Sequence, residues 1–308
     1  MYVYLLMKKA MQITQTLRFA LIFAVIFCAI SPEIWADGWT RKKGELWTKL
    51  YIGSMSGASY FDANGKRISD LNDQLVNQRY TFDFSGAVGG LNAEYGLLDN
   101  CTLTAAIPYG SYSLIEKFLT DSLGNRYIRS EQTRALISWI SLGARYRLLN
   151  TSWAVLCIAG EIRLPPLQSA PLDTLQAFLG GGSREGVLGV ELGIPFQESW
   201  LGFSAKYALR QAAWNNMLYL HAEAGFSSVE NTSIKFFADY TSAQGSWNTV
   251  PAFDIRRLQP AETFLSAGAT FTVFPADDYF FDASYSLRLD GRNTWLTGVV
   301  CLGGGITF

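Results

Sequence analysis

From about Gly44 to the last residue, Phe308, the chain alternates between apolar side chains and small or polar ones. A period of two produces a strand with two unlike faces. Leu218, Leu220, Ala222, Ala224 and Phe226 oppose Tyr219, His221, Glu223 and Gly225. Leu201, Phe203, Ala205, Tyr207 and Leu209 oppose Gly202, Ser204, Lys206, Ala208 and Arg210. Ile234, Phe236, Ala238 and Tyr240 oppose Lys235, Phe237, Asp239 and Thr241, and Phe281, Ala283, Tyr285, Leu287 and Leu289 oppose Asp282, Ser284, Ser286, Arg288 and Asp290. Isolated charges recur on the non-apolar face. A solvated lumen accounts for them better than a soluble sandwich core does.

The pattern divides into twelve segments, at 44–60, 82–97, 101–115, 134–149, 153–165, 185–197, 199–211, 217–229, 233–245, 262–275, 279–290 and 294–308. Each is long enough for a tilted membrane strand of about 9–11 residues. An even count returns both chain ends to one side. The even-numbered connections are short: Leu98-Asp99-Asn100, Asn150-Thr151-Ser152, Glu198, Glu230-Asn231-Thr232 and Ala276-Asp277-Asp278. Several odd-numbered ones are long, at 61–81, 116–133, 166–184 and 246–261. Short periplasmic turns alternating with long outer loops define a bacterial outer-membrane barrel. The expected fold is therefore all-β, an antiparallel transmembrane β-barrel of about 12 strands. In lipid its first and last strands must pair, because unpaired backbone groups have no water to turn to. Tyr95, Trp153, Trp200, Phe274, Tyr279 and Phe280 gather by the short turns, where they are expected to form an aromatic girdle.

Composition agrees: charged residues are 17% and aromatics 14%, with a net charge of −1. No basic excess points to nucleic acid. The single long apolar run, Leu17 to Ile30, follows Lys8 and Lys9 and contains Arg18. Ile34-Trp35-Ala36 then offers a cleavage site. Residues 1–36 are expected to be a cleaved signal peptide and 37–308 a single barrel domain. Met7 is an equally serviceable start, and bulky Phe27 argues against lipidation of Cys28. Cys101, Cys157 and Cys301 are too few and too widely spaced for a disulfide framework or a zinc site. The chain ends Gly305-Ile306-Thr307-Phe308, an alternating strand closing on Phe, resembling the signal by which the barrel-assembly machinery recognises its clients. Gly303-Gly304-Gly305 allows a bend, or the close approach of another segment.

Several stretches resemble the outer-membrane transporter family named for the meta-pathway of phenol degradation and its XagA-like relatives. They are Trp39 through Gly44-Glu45, Tyr60-Phe61-Asp62 with Gly65, and Glu94-Tyr95-Gly96-Leu97 with Asp99. Next come Thr102-Leu103-Thr104, Ile107-Pro108-Tyr109, Ser141 through Leu149, Ala159-Gly160 and Leu164-Pro165. The resemblance is clearest over 39–165. It implies an outer-membrane barrel taking up small, often hydrophobic molecules, and it supplies no catalytic motif.

His221 is the only histidine, and on parity it faces the lumen, away from any lipid substrate. No Gly-x-Ser-x-Gly elbow accompanies it, and no calcium loop, zinc spacing or phosphate loop is present. The expectation is a non-enzyme without cofactors. The expected lumen residues are Glu94, Arg145, Arg147, Glu161, Arg163, Glu191, Lys206, Arg210, His221, Glu223, Lys235, Asp239, Asp282 and Arg288. They form either a stiffening charge network or a selectivity ring, and their mixed signs argue against strong ion selection. The 61–81 loop carries the turn signal Asn64-Gly65. The 166–184 loop combines Pro166, Pro171 and Gly180-Gly181-Gly182 with Leu167, Leu172, Leu175, Phe178 and Leu179. That loop suits an apolar constriction or a face toward lipopolysaccharide.

The leading functional expectation is a channel in a Gram-negative-type outer membrane for small, hydrophobic or aromatic solutes. Its partners would be lipid, lipopolysaccharide and the solute. The alternatives are a structural or adhesion barrel without transport, and an outer-membrane enzyme acting on lipid.

Overall fold

A computed structural model describes residues 40–62, 64–73, 78–119, 126–137, 139–165, 184–211, 215–229, 231–244 and 262–308. The proposed signal peptide, 1–36, lies outside the described residues, as does nearly all of the 166–184 loop. The chain forms β1 (Leu46–Phe61), β2 (Arg67–Ile68), β3 (Asp70–Asp73), β4 (Gln78–Leu98), β5 (Cys101–Leu119), β6 (Arg126–Ile137), β7 (Ile140–Asn150) and β8 (Val155–Leu164). It continues through β9 (Glu185–Phe196), β10 (Ser199–Arg210), β11 (Asn216–Val229), β12 (Thr232–Gln244), β13 (Thr263–Ala276), β14 (Tyr279–Arg292) and β15 (Thr294–Thr307).

Each wall strand pairs antiparallel with its sequence neighbour, and β1 pairs with both β4 and β15. The sheet therefore closes. With β6 and β7 sharing one position, the wall has twelve strands. The seam runs from Trp47↔Thr307 to Phe61↔Thr294, and Leu46 and Phe308 exchange backbone hydrogen bonds of 3.1 and 2.8 Å at its lower end. Closure satisfies the backbone without water, as a bilayer demands.

Outside, the alternation exposes a continuous apolar belt: Leu50, Ile52, Leu142, Ile162, Leu188, Phe203, Phe236, Phe281 and Leu302 are all exposed, as is terminal Phe308 at 70%. Only lipid makes such a surface favourable over this area. The protein is an antiparallel outer-membrane β-barrel. By that fold, the end carrying the short turns is periplasmic.

Three features depart from the sequence expectation. First, β5 runs on to Leu119 and β6 starts at Arg126, so much of the expected 116–133 loop is strand. The 61–81 loop likewise holds β2, β3 and the start of β4. Their polar sequences hid strands that continue above the lipid belt. Second, the expected 134–149 strand is interrupted. β6 pairs with the upper half of β5, from Tyr109↔Ile137, and β7 with the lower half, up to Ala106↔Ser141. Pro108 of β5, which has no N–H to give, stands opposite the gap. Third, Trp200 and Phe280 leave the expected girdle. They are 6% and 8% exposed, whereas Tyr95, Trp153, Phe274 and Tyr279 do face outward. Trp200 shares the parity of Lys206, and Phe280 that of Asp282, so the period of two turns both rings inward.

Residues 40–45 fold against the periplasmic rim. Gly44 N donates to Gly96 O, Gly96 N to Glu45 O, and Lys43 N to Asp99 Oδ1, over 2.8–3.1 Å. A Cβ on Gly96 would lie 1.8 Å from the Lys42 carbonyl oxygen, so only glycine permits this approach.

Candidate functional site

The inward face carries four groups of charged side chains, each assembled across neighbouring strands. In the first, Arg41 Nε reaches Glu94 on β4 at 2.7 Å, and Arg145 on β7 reaches the same carboxylate at 3.5 Å. Arg145 Nε also meets Glu191 of β9 at 2.6 Å, and Lys206 of β10 meets Glu191 at 2.7 Å. Arg41 additionally holds Glu45 at 3.6 Å and lies 5.0 Å from the Trp47 ring centre.

In the second group, Arg163 on β8 grips Glu161 at 2.8 Å and Glu185 of β9 at 3.5 Å, and Arg210 of β10 holds Glu185 at 2.7 Å. The third group centres on Glu223 of β11, which accepts from Trp200 Nε1 at 3.0 Å, His221 Nε2 at 3.2 Å and Lys235 Nζ at 3.1 Å. His221 Nδ1 meets Asp239 of β12 at 2.7 Å. Carboxylates only accept, so these two contacts together require both ring nitrogens to donate, which is the imidazolium form. The fourth group comprises Lys49–Asp282 at 2.6 Å and Arg288–Glu262 at 3.8 Å, with Arg288 also donating to Thr294.

Ser204, His221 and Asp239 are cross-strand neighbours on β10, β11 and β12. The row has the residue order of a hydrolytic triad. However, Nε2 is engaged by Glu223 rather than turned to the serine, so no general base is available there. Among the described residues, no cluster of three or more potential metal ligands occurs.

Among the described residues, each group balances its charge: Arg41, Arg145 and Lys206 against Glu45, Glu94 and Glu191; Arg163 and Arg210 against Glu161 and Glu185; His221 and Lys235 against Glu223 and Asp239; Lys49 and Arg288 against Asp282 and Glu262. Arg147 is the exception. It shares the face of Arg145, next to the β-bulge at Arg147/Leu149, and has no ion pair among the described residues.

Two of these contacts lie along the wall. Lys49 reaches Asp282 across β15, where a Cβ on Gly303 would sit 2.7 Å from Asp282 Oδ1 and 2.8 Å from Lys49 Cε. Trp200 likewise lies flat over β11, where a Cβ on Gly225 would sit 2.0 Å from its ring. The glycine run of the last strand thus seats side chains of its neighbours.

Toward the outer mouth, the sector from β15 through β1 and β4 to β5 is aromatic instead. Ring centres of Tyr60 and Trp295 are 5.7 Å apart, Trp295 and Phe84 5.6 Å, and Phe84 and Tyr112 6.0 Å. All four are buried, with Leu114 beside them. Nearer the periplasm, Trp47 stacks on Phe280 at 5.6 Å.

The fourteen sequence-derived residues therefore sit on the inward parity, and thirteen of them join the four groups. Sequence reasoning missed Lys49, Glu185 and Glu262, of which Lys49 and Glu185 share parity with charges or rings already noted on their strands. Arg41 precedes the first strand, where no periodicity marks it.

No protein-family model matches the chain, and no curated protein matches it. Among solved structures, it is similar to the COG4313 outer membrane channel from Pseudomonas putida F1, at 12% identity and a TM-score of 0.61, over 90% of this chain and 100% of that one. Weaker likenesses are to the KdgM porin in complex with disordered oligogalacturonate (6%, TM-score 0.49, 85% and 99% coverage) and the CymD monoaromatic hydrocarbon channel (9%, 0.42, 87% and 89%). At such identities the likeness is one of fold.

Proposed function

We propose that this protein is an outer-membrane channel through which small uncharged solutes pass. The carrying observation is the charge-balanced lining formed by the described residues. Paired charges present little net field to a passing ion. The fold shared with a protein described as an outer membrane channel supports this reading. So does the sequence resemblance to transporters of the phenol meta-pathway type, which favours hydrophobic or aromatic molecules within the uncharged class. The terminal strand closing on exposed Phe308 would serve the barrel-assembly machinery as its recognition signal, with lipopolysaccharide surrounding the outer rim.

Single-channel recording of the refolded mature protein in planar bilayers tests the proposal. The expected result is a steady conductance, a reversal potential near zero in a KCl gradient, and block by small aromatic solutes. A heat-modifiable barrel that never conducts would refute it and leave a structural or adhesion barrel.

A further inference from the structure

The interruption between β6 and β7 has a consequence for the interior. Ile137 and Ile140 both face lipid, so the residues between them absorb a one-residue shift of phase. Trp139 is thereby turned inward, and the Arg163 guanidinium carbon lies 4.9 Å from its ring centre. The same carbon lies 5.4 Å from the ring centre of Tyr219 on β11. Both fall within the range of a cation–π contact.

This arrangement differs from the rest of the lining. The ion pairs described above link strands no more than two positions apart. Trp139, Arg163 and Tyr219 together connect the β7 position to β11, four strand steps around a wall of twelve. Side chains that meet over a third of the circumference project across the lumen rather than along its wall. They are also held rigidly. Arg163 donates to both oxygens of Glu161, at 2.8 and 3.4 Å, and to Glu185 at 3.5 Å. Tyr219 packs on the buried inward row Val187, Ala208, Met217 and Ala243.

We propose that Trp139, Arg163 and Tyr219 form the constriction that sets which solutes pass. This inference rests on the channel reading above. The guanidinium is neutralised by its carboxylates and flanked by two rings, so the constriction selects by cross-section among uncharged solutes and not by sign of charge.

The test is Trp139→Ala, compared with the parent protein by single-channel conductance and by swelling of liposomes in neutral sugars of increasing size. Heat-modifiable gel mobility verifies the fold of each. The expected result is a conductance raised about twofold or more, with the size limit moved to larger sugars and the reversal potential unchanged. Tyr219→Leu approaches from four strands further round the wall and is expected to act in the same direction, keeping the test in force if Trp139→Ala does not fold. A parent that conducts and folded variants that match it in both assays would overturn the constriction and leave the channel standing. Folded barrels that are silent in parent and variants alike would overturn the channel reading, and the constriction with it.

Discussion

The barrel interior has two sectors of opposite chemistry. From β7 to β12 it is lined by interlocked charges, and from β15 through β1 and β4 to β5 it is filled near the outer mouth by Tyr60, Trp295, Phe84 and Tyr112. The difference lies in what fixes each side chain. A charge inside a low-dielectric wall must find its opposite, so the first sector is held by pairing, with Glu185, Glu191 and Glu223 each shared between two cations. The aromatic sector is held by contact area and ring geometry, which are indifferent to ions and local in their effect. One sector sets the electrostatic character of the pathway, while the other stiffens the seam where the first and last strands meet.

The largest separation of the two is expected from Trp295→Ala. Its ring is 1% exposed and lies between Tyr60 and Phe84. Truncation of a buried tryptophan leaves a cavity and should cost about 4 kcal/mol, read from urea unfolding of the folded barrel in lipid vesicles. Glu223→Ala, at the centre of the charged sector, strips three donors of their acceptor and should cost about 3 kcal/mol. Salt sharpens the contrast. Between 0.1 and 1 M KCl the screening length falls to about 3 Å, so the Glu223→Ala deficit should shrink while that of Trp295→Ala stays constant. Equal responses would mean that the two sectors are not held by different forces.

The same contrast explains what the sequence revealed. The rule that apolar residues face lipid and polar ones face the lumen holds where the lumen is charged. The closed antiparallel barrel was therefore legible from parity alone, and Glu191, Lys206, Glu223 and Asp239 share the parity opposite the exposed apolar belt. It fails in the aromatic sector. Phe84 and Trp295 are inward and buried, whereas Ser54, Ser56 and Ser85 are exposed on the outward parity of β1 and β4. There both faces carry the chemistry expected of the other, because these strands rise beyond the lipid belt and the wall encloses rings instead of charges. The break at Trp139 was hidden for another reason. It is caused across the sheet, opposite Pro108, and no local pattern reports a neighbour's missing N–H.

A smaller effect is expected where a ring and the charge network meet. Trp200 belongs to both, lying flat on Gly225 while donating to Glu223. Gly225→Leu would force the indole off the wall, at a cost of about 2 kcal/mol in strain and lost packing. Because the displaced ring moves into the lumen, conductance should fall along with stability. Loss of stability with unchanged conductance would place the ring away from the solute path.

The smallest net change should come from Lys49 and Asp282 replaced together. Asp282→Leu alone leaves the Lys49 ammonium over Gly303 without its carboxylate, and Lys49→Met alone leaves the carboxylate without its cation. Each single change should cost about 2 kcal/mol or more, because a charge already removed from bulk water loses its partner. The pair Lys49→Met and Asp282→Leu removes both charges, keeps similar volume and restores balance. It should fall within about 1 kcal/mol of the parent, with a coupling energy comparable to either single cost. The reversal potential in a KCl gradient should move in opposite directions for the two single variants and return to the parent value in the double. If the double variant instead costs the sum of the singles, the two side chains act through separate contacts, and neutrality by pairing is not what governs the lining near the seam.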